Sequence, residues 1–262
     1  MQRANAWAQG GADQSWLVRL GWAFGSLFGF LLFWEVIALV IHHRHLPTPT
    51  IVAVAMVREL ITGDLGYHIA ITLSRVAAAF VVAMFIGSSI GILLGRSRRA
   101  DQMFDSWVIL FLNLPALVII ILCYVWFGRT EVAAIAAVAI NKIPNVAVTV
   151  REGARNLSRD LAEMAEMYRF GWWKTLRHVT LPQLAPYFLA SARTGLSLVW
   201  KIVLVVELLG RSNGVGFQLA TFFQLFDVSM ILAYALAFIL VVQVIEFTVL
   251  QPIAARVNRW RR

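Results

Sequence analysis

A nucleotide-binding site of the P-loop type would have to include one of the lysines of this chain. A P-loop needs a glycine directly before its lysine, because backbone amides and the ammonium bind the phosphates together. The three lysines, Lys142, Lys174 and Lys201, instead follow asparagine, tryptophan and tryptophan. We therefore predict that the chain does not bind ATP through this motif and binds no cofactor of its own.

Histidine and cysteine offer little metal or catalytic chemistry. His42, His43 and His45 are clustered, and imidazole is a common metal ligand, but no carboxylate or cysteine stands at ligand spacing beside them. We predict no metal site. The zinc-hydrolase pattern HExxH does not occur, and the lone Cys123 cannot form an internal disulfide. No catalytic residue is predicted, and the chain is not expected to be an enzyme.

Polar and helix-breaking residues interrupt two apolar stretches. One contains Asn113 and Pro115, and the other contains Asn141 and Lys142, followed by Pro144. Unsatisfied polar groups in lipid cost several kcal/mol, so such residues face protein or a water-filled cavity. We predict that they belong to a translocation path through a helix bundle. For Lys142, an ammonium that reaches the membrane interface from near a helix end is an equal alternative.

Two ionisable residues, Lys201 and Glu207, lie in a further apolar stretch. Six positions separate them, which places them roughly 120° apart around a helix, so they are not a simple i,i+4 pair. Each is predicted to have a partner on another helix. Both are candidates for the translocation path, although ionisable residues in a span can equally lock helices or subunits together.

The elements that position these residues are membrane helices. The 262 residues are 60% hydrophobic and 14% charged, with a mean hydropathy of +0.74, whereas soluble domains have about 25% charged residues. Apolar stretches of roughly 20 residues recur along the chain. We predict an all-α polytopic membrane bundle with a cytoplasmic coupling helix and about six spans, at residues 23–41, 73–95, 104–126, 132–150, 184–209 and 228–250.

The basic residues predict the orientation. An even number of spans puts the N-terminal segment (1–22) and the basic tail (251–262) on one side of the transmembrane domain (23–250). The other side holds only Arg44, Arg58, Arg129 and Arg211. Cytoplasmic loops carry the excess of Lys and Arg, so both termini are predicted to be cytoplasmic. The net charge of +9 then reflects topology and attraction to anionic lipid rather than nucleic-acid binding.

Three glycines follow one face of the second predicted span. Gly87, Gly91 and Gly95 are spaced by four residues, and small residues on one helical face let two helices approach closely. We predict that this face packs inside the bundle; a pore-lining role is the minority interpretation.

A charged segment at about 158–182 divides the apolar chain. Its apolar residues, which include Met164, Met167 and Trp172, predict two short amphipathic helices around a turn. An exposed apolar helix face needs something to cover it. The segment is therefore predicted to dock on lipid headgroups or on a cytoplasmic partner.

This segment resembles the EAA loop of ATP-binding-cassette importer permeases, the coupling helix that sits in a cleft of the ATPase subunit. Aligned on Leu181 and Pro182, the family's Glu-Ala-Ala falls on Glu163, Met164 and Ala165. The family's usual glycine falls on Arg169, and the nearest glycine, Gly171, comes two residues later. By this resemblance, these seven residues couple the chain to an ATPase.

Other stretches resemble the same family in order and spacing. LPTPT at 46–50 resembles its Leu-Pro-x-Pro entry, and TLSRVAAAFVVAMFIGSSIGILLGRS at 72–97 resembles its Ser-Leu-x-Arg opening and glycine-rich exit. TGLSLVWKIVLVVELLGRSNGVGFQL at 194–219 resembles the nitrate, taurine and aliphatic-sulfonate branch, where a glutamate precedes a Gly-x-Gly-Phe/Tyr loop. The resemblance therefore covers nearly the whole chain.

The resemblance implies the permease of an ATP-driven importer for a small, anionic solute in a bacterial inner membrane. Two copies of the permease would pair with two ATPase subunits, which bind ATP and Mg²⁺, and a periplasmic or lipid-anchored binding protein would deliver the solute. The alternative is a gradient-driven secondary transporter or channel. No inverted repeat or pair of intramembrane carboxylates is evident to support it.

Overall fold

The computed structural model describes residues 16–41, 43 and 45–252 and is helical throughout its regular elements. The predicted N-terminal segment and basic tail therefore lie mostly outside the described residues. The helices, in chain order, are α1 (Trp16–Ile41), α2 (Pro49–Thr62), α3 (Leu65–Arg96), α4 (Arg98–Asn113), α5 (Ala116–Phe127), α6 (Glu131–Arg155), α7 (Arg159–Met167), α8 (Trp172–Thr175), α9 (Leu181–Gly210), α10 (Val215–Gln224) and α11 (Val228–Ile245). Two π-helical segments, Leu176–Thr180 and Glu246–Leu250, join α8 to α9 and extend α11.

Four continuous helical segments are long and apolar enough to cross a membrane. They are Leu65–Arg96, Glu131–Arg155, Trp172–Gly210 and Val228–Val249. The pair α4 and α5 could provide a fifth span, and the apolar part of α1, Gly25–Ile41, is shorter than the others. The predicted all-α membrane bundle is confirmed, and the described residues provide four or five full-length spans where the sequence predicted about six.

The third predicted span is broken. Its two halves, α4 and α5, meet at an angle of 95°. Leu114 adopts an extended backbone, with φ −69° and ψ 127°, because the ring of Pro115 disfavours a helical residue before it. Asn113 ends α4 by donating a side-chain hydrogen bond of 2.7 Å to the carbonyl of Ile109.

The fourth predicted span, unlike the third, forms one continuous helix. Pro144 lies inside α6, which continues unbroken to Arg155, so the sequence-based expectation of a helix break there is wrong. α6 is the central helix of the bundle and packs on α3, α9 and α5. Contacts on several sides hold its backbone helical through the proline, since tertiary packing supplies most of a helix's stability in a protein.

Three glycines allow α3 to lie close against α6. A Cβ atom built on Gly87 would lie 2.9 Å from the carbonyl oxygen of Ile143, and one on Gly91 would lie 2.6 Å from that of Ala147. On Gly95 it would lie 2.5 Å from the Cβ of Ala154. The structure thus places all three residues on the predicted packing face, where backbones approach too closely for a side chain.

The chain between the first two long helices forms the short helix α2. Thr48 caps its N-terminus by accepting a hydrogen bond of 3.3 Å from the Ile51 amide, and Pro49 occupies the first turn, where its missing N–H costs nothing. The Tyr234 hydroxyl on α11 donates to Glu59 Oε2 at 3.1 Å. This contact fastens α2 to the bundle.

Candidate coupling surface and buried ion network

The segment that resembles the EAA loop folds as two short helices joined by a tight turn. Ser158 caps α7, its hydroxyl oxygen accepting a hydrogen bond of 3.4 Å from the Leu161 amide. At the other end, the amide of Arg169 donates to the Glu166 carbonyl at 2.9 Å, and that of Phe170 donates to the Ala165 carbonyl at 2.8 Å. This pair of hydrogen bonds is the Schellman motif, which requires a left-handed residue after the helix.

Arg169 is that left-handed residue. Its φ is +51°, a conformation that glycine adopts without steric cost. The alignment with the importer family places the usual glycine at this position, so the turn forms here with arginine in place of glycine. Gly171, by contrast, has an ordinary extended backbone with φ −64°, and a Cβ there would meet nothing within 4 Å. The turn therefore does not depend on Gly171.

α7 and α8 expose a continuous set of large apolar side chains, which we call the coupling surface. Met167 is 84% exposed and Trp172 is 76% exposed. Ala165 is buried beneath this surface, whereas Glu163 is exposed beside it. Leu181 and Pro182, at the start of α9, are also exposed. The coupling surface consists of Leu161, Met164, Met167, Tyr168, Trp172 and Trp173.

Polar contacts fasten the coupling surface to the long helices. The Ser158 amide donates to the side-chain oxygen of Gln183 on α9 at 2.9 Å, and Arg96 at the end of α3 donates to Thr180 Oγ1 at 3.2 Å. Arg151 on α6 pairs with Asp105 on α4, with 2.6 Å between Nη1 and Oδ1. The first two bonds join the segment to α9 and α3, and the Arg151–Asp105 pair joins α6 to α4 close to where the segment begins.

A second cluster of polar residues lies at the opposite end of α9. Glu207 is fully buried. Its Oε1 accepts a hydrogen bond of 2.7 Å from Arg75 Nη1 on α3, and its Oε2 accepts bonds of 2.9 Å from the Thr72 hydroxyl and from the Gly216 amide. Arg75 also pairs with Glu131 on α6, with 2.6 Å between Nη2 and Oε1. The cluster thus joins three long helices.

The Gly-x-Gly loop after α9 wraps this carboxylate. Gly214 has φ +105°, and a Cβ there would lie 2.3 to 2.5 Å from the carboxyl atoms of Glu207. A Cβ on Gly216 would lie 2.2 Å from the carbonyl oxygen of Leu204. The Gly214 amide donates to His68 Nδ1 at 2.9 Å. Gly214 is therefore required by the close approach of its backbone to the carboxylate, and Gly216 by the close approach of α10 to the backbone of α9.

The sequence-based prediction of a partner on another helix is correct for Glu207 and stays a prediction for Lys201. Lys201 makes no hydrogen bond or ion pair with any residue that the structure describes. Sequence reasoning missed Arg75 as the partner of Glu207. The signal was available, because Arg75 is an ionisable residue inside a predicted span and such residues are functional candidates by default.

Lys142 occupies a buried position between α6 and α9. It lies near the middle of α6 and is 2% exposed, so the alternative of an ammonium reaching the membrane interface from a helix end is wrong. A Cβ on Gly195 would lie 2.7 Å from Lys142 Nζ, which shows how tightly α9 covers it. Among described residues, the ammonium has no hydrogen-bonding or ionic partner.

The six residues predicted for the translocation path occupy different settings. Asn113 and Pro115 are exposed at the break between α4 and α5, and Asn141 is half-buried on α6 beside Lys142. Lys201 is exposed on α9, and Glu207 is sealed in the ion network.

Residues 83–256 match the family described as binding-protein-dependent transport system inner membrane component. The chain belongs to this family. Its predicted resemblance to importer permeases of the ATP-binding-cassette class is thereby confirmed, and the gradient-driven alternative is not favoured. This permease is a multi-pass inner-membrane component.

Relatives of this permease cover most of its length. It is 28% identical over 247 residues to SsuC of Bacillus subtilis (strain 168), a permease assigned to aliphatic sulfonates transport, which covers 93% of this chain and 89% of the relative. It is 24% identical over 243 residues to the taurine transport system permease protein TauC of Escherichia coli (strain K12), covering 90% and 88%. The bicarbonate transport system permease protein CmpB of Synechococcus elongatus is 27% identical over 204 residues, covering 73% of each chain.

The fold of this permease is similar to that of a solved transporter. An inward-facing structure of the MetNI methionine ABC transporter aligns with a TM-score of 0.65 at 18% identity, over 76% of this chain and 98% of the solved one. At 18% identity, this structural similarity shows only that the two chains share a fold.

One further pattern in this permease needs a structural explanation. Residues 210–214 read Gly-Arg-Ser-Asn-Gly, which fits the GxSxG pattern of hydrolases whose serine sits between a strand and a helix. Here the pattern follows helix α9, and the Ser212 side chain has no hydrogen bond to any described residue. Gly214 is explained by the Glu207 carboxylate, so the pattern does not indicate a nucleophile.

The histidine cluster of this permease is partly described. His42 lies outside the described residues, and the rings of His43 and His45 are 5.4 Å apart. Within the ranges 16–41, 43 and 45–252, no group of three or more His, Cys, Asp or Glu side chains is placed to hold a metal ion.

Proposed function

We propose that this permease forms the membrane path of an ATP-driven importer for a small anion carrying a sulfonate or carboxylate-like group. The observation that carries the proposal is the coupling surface, an exposed aromatic and apolar patch at the position of the family's EAA loop. The relatives transport aliphatic sulfonates, taurine and bicarbonate by their names. These solutes share a negatively charged oxygen group.

Transport energy must then come from separate ATPase subunits. We propose two ATPase copies that bind ATP and Mg²⁺, a second copy of this permease, and a periplasmic or lipid-anchored binding protein. The coupling surface would sit on the ATPase, where burial of roughly 25 cal/mol per Å² of apolar area favours docking. Both chain termini would be cytoplasmic, on the same side as the coupling surface.

The contacts around the coupling surface suggest how ATPase movement reaches the bundle. Closure of the ATPases would displace α7 and α8. The bond from Ser158 to Gln183 would carry that displacement to α9, and the bond from Arg96 to Thr180 would carry it to α3. Two arrangements of the long helices, biased by nucleotide, would open the path to alternate sides.

Five of the predicted path residues remain proposed as lining or neighbouring the path: Asn113, Pro115, Asn141, Lys142 and Lys201. For Glu207 we propose the alternative role from the sequence analysis, which is to lock helices together. Because all of its hydrogen bonds come from surrounding helices and the Gly-x-Gly loop, we propose that Glu207 locks α9 to α3 and does not contact the solute.

The test is co-purification of an ATPase from the native host. Met167→Asp combined with Trp172→Asp places two charges in the coupling surface, and Arg98→Ala changes an exposed residue at the start of α4 as a control. We expect an ATPase with a P-loop to co-purify with the wild type and the control and to be lost with the double variant. Equal recovery with all three would contradict the proposed docking site.

The solute class needs its own measurement. Proteoliposomes that contain the purified complex and its binding protein would be tested for ATP-dependent uptake of taurine, ethanesulfonate and bicarbonate. We expect at least one of these anions to accumulate. Uptake of none of them, by a complex that hydrolyses ATP, would overturn the proposed solute class while leaving the docking result standing.

A further inference from the structure

A groove between α9 and the end of α11 has a lining of mixed polar and apolar side chains. It encloses about 630 Å³, within the range of roughly 300 to 1,000 Å³ typical of sites for small ligands. Trp200 and Phe238 form part of its apolar lining. Its polar lining consists of Arg193, Thr194, Ser197, Lys201, Gln243 and Glu246.

The polar residues of α9 in this groove follow one helical face. Arg193, Ser197 and Lys201 are spaced by four residues, so they lie above one another along α9. Eight residues of helix rise by about 12 Å, which separates the two cationic residues. An adjacent face of the same helix instead exposes the apolar side chains of Leu198 and Leu209, which are eleven residues, or about three helical turns, apart. Within one span, a polar face and an apolar face thus stand side by side.

This groove does not suit contact with acyl chains. Ionisable side chains within a membrane span face the interior of an assembly or a water-filled cavity. The apolar face beside it has the character expected of a surface in contact with lipid. The polar face therefore requires a different environment, which a second copy of the chain across a water-filled path would provide.

The charges of the groove do not cancel. Arg193 and Glu246 lie near each other, with 4.0 Å between Nε and Oε1. Lys201 has no acidic partner among the residues that the structure describes. With these three side chains ionised, two positive charges and one negative charge leave a net charge of +1, which complements a solute with a single negative charge.

We propose that this groove is a binding site for a monovalent anion on the wall of the translocation path, that Lys201 binds the anionic group, and that a second copy of the chain closes the groove. The inference rests on the proposed function, since it assigns a site and a charge to the solute of that importer. One ammonium without further fixed partners would hold the anion loosely, and a transport site must also release its solute.

The site can be tested without knowing the solute. In a Cys123→Ala background, which removes the single native cysteine, Ser197→Cys places a thiol one helical turn from Lys201. We would measure its modification in membranes by anionic 2-sulfonatoethyl methanethiosulfonate and by cationic 2-trimethylammonioethyl methanethiosulfonate, each rate divided by that for a free thiol. Labelling is read on the permease band, so thiols of other subunits do not contribute.

We expect the normalised rate ratio of anionic to cationic reagent to fall by about 3- to 10-fold when Lys201→Met is added, because one nearby positive charge is removed. Lys201→Arg should keep the ratio high. Leu209→Cys, an exposed residue about 12 Å further along α9 from Lys201, should show no dependence on residue 201, because solvent ions screen a charge at that distance. An unreactive Ser197→Cys thiol, or a ratio that does not change between Lys201 and Met, would overturn the proposal.

Solute uptake is the second measurement, and it separates the proposed solute class from the proposed anion site in the groove. With taurine, ethanesulfonate and bicarbonate as probes, Lys201→Met should reduce uptake of the transported anion at least fivefold or so, and Lys201→Arg should restore part of it, in complexes that keep the subunit composition of the wild type. If the wild type takes up none of the three anions, the proposed solute class is contradicted. The thiol modification rates would then still test whether the groove is an anion site. Wild-type uptake together with full Lys201→Met uptake would overturn the groove alone.

Discussion

Glu207 and Arg75 form a buried ion pair with 2.7 Å between Oε1 and Nη1, although 132 residues separate them in the chain. The side chains are 0% and 4% exposed. Neither charge would be tolerated alone at this depth, because desolvation of an unpaired ion costs several kcal/mol. Their pairing therefore fixes α9 against α3 and orders the loop that follows α9.

Removal of one member of this pair should be strongly destabilising. We expect Glu207→Ala to lower the free energy of unfolding by about 3 to 5 kcal/mol, because Arg75 loses one of its two carboxylate partners in the interior. Thermal unfolding of the detergent-solubilised permease would measure the change. Glu131→Gln is the matched control, since Glu131 is about half exposed. A loss for Glu207→Ala no larger than for the control would contradict the assigned role.

The Gly-x-Gly loop should be equally intolerant of a methyl group. Gly214→Ala would place a Cβ within 2.5 Å of the Glu207 carboxyl atoms. The backbone there, with φ +105° and ψ 168°, is essentially restricted to glycine and costs other residues about 1 to 3 kcal/mol. We expect a clearly reduced Tm. Gly66→Ala on α3, where a Cβ meets nothing within 4 Å, should leave Tm unchanged or slightly raised. Equal Tm values for the two variants would show that the loop can move aside.

The turn of the coupling surface is strained at Arg169, which leads to a stabilising substitution. Arg169→Gly should stabilise the end of α7 by about 1 kcal/mol, because glycine adopts positive φ freely, and amide hydrogen exchange of residues 165–170 should slow. Gly171→Ala should change neither exchange nor Tm, since its backbone is ordinary. Faster exchange in Arg169→Gly would indicate that the arginine side chain itself stabilises the turn.

The approach of α3 to α6 should depend on Gly91. Gly91→Val would force the helices apart, because even a Cβ would lie 2.6 Å from the Ala147 carbonyl oxygen, and overpacking of this kind costs about 1 to 3 kcal/mol. Gly29→Val on α1, where a Cβ meets nothing within 4 Å, is the control. The yield of monodisperse protein and its Tm should fall for the first variant and not for the second.

The buried ammonium of Lys142 has no partner among the described residues, so we expect it to lower the stability of the permease. Lys142→Met should raise Tm, since it removes an ammonium from an apolar interior and keeps the shape of the side chain. Lys201→Met, at an exposed position, should leave Tm close to that of the wild type. A lower Tm for Lys142→Met would reveal a stabilising contact of the ammonium in the folded permease, and reduced uptake without a lower Tm would favour its place near the path.

Features that depend on local composition could be predicted from the amino-acid sequence. Apolar length predicted the membrane helices, four-residue glycine spacing predicted the packing face of α3, and amphipathic periodicity predicted the two short helices of the segment at 158–182. These signals are local because hydrophobic burial and helix geometry act over one or two turns. The position of the charged segment, together with its resemblance to the EAA loop, was also sufficient to predict the family.

Tertiary structure decided the features that depend on residues far apart in the chain. No local pattern shows that Arg75 pairs with Glu207 and Glu131, that α6 continues through Pro144, or that Lys142 is covered by Gly195. The same holds for the turn, where hydrogen bonds and not residue type place the left-handed conformation at Arg169. In each case long-range packing outweighs local propensity, because the energy of burial and of buried ion pairs exceeds the differences of about 1 kcal/mol between local conformations.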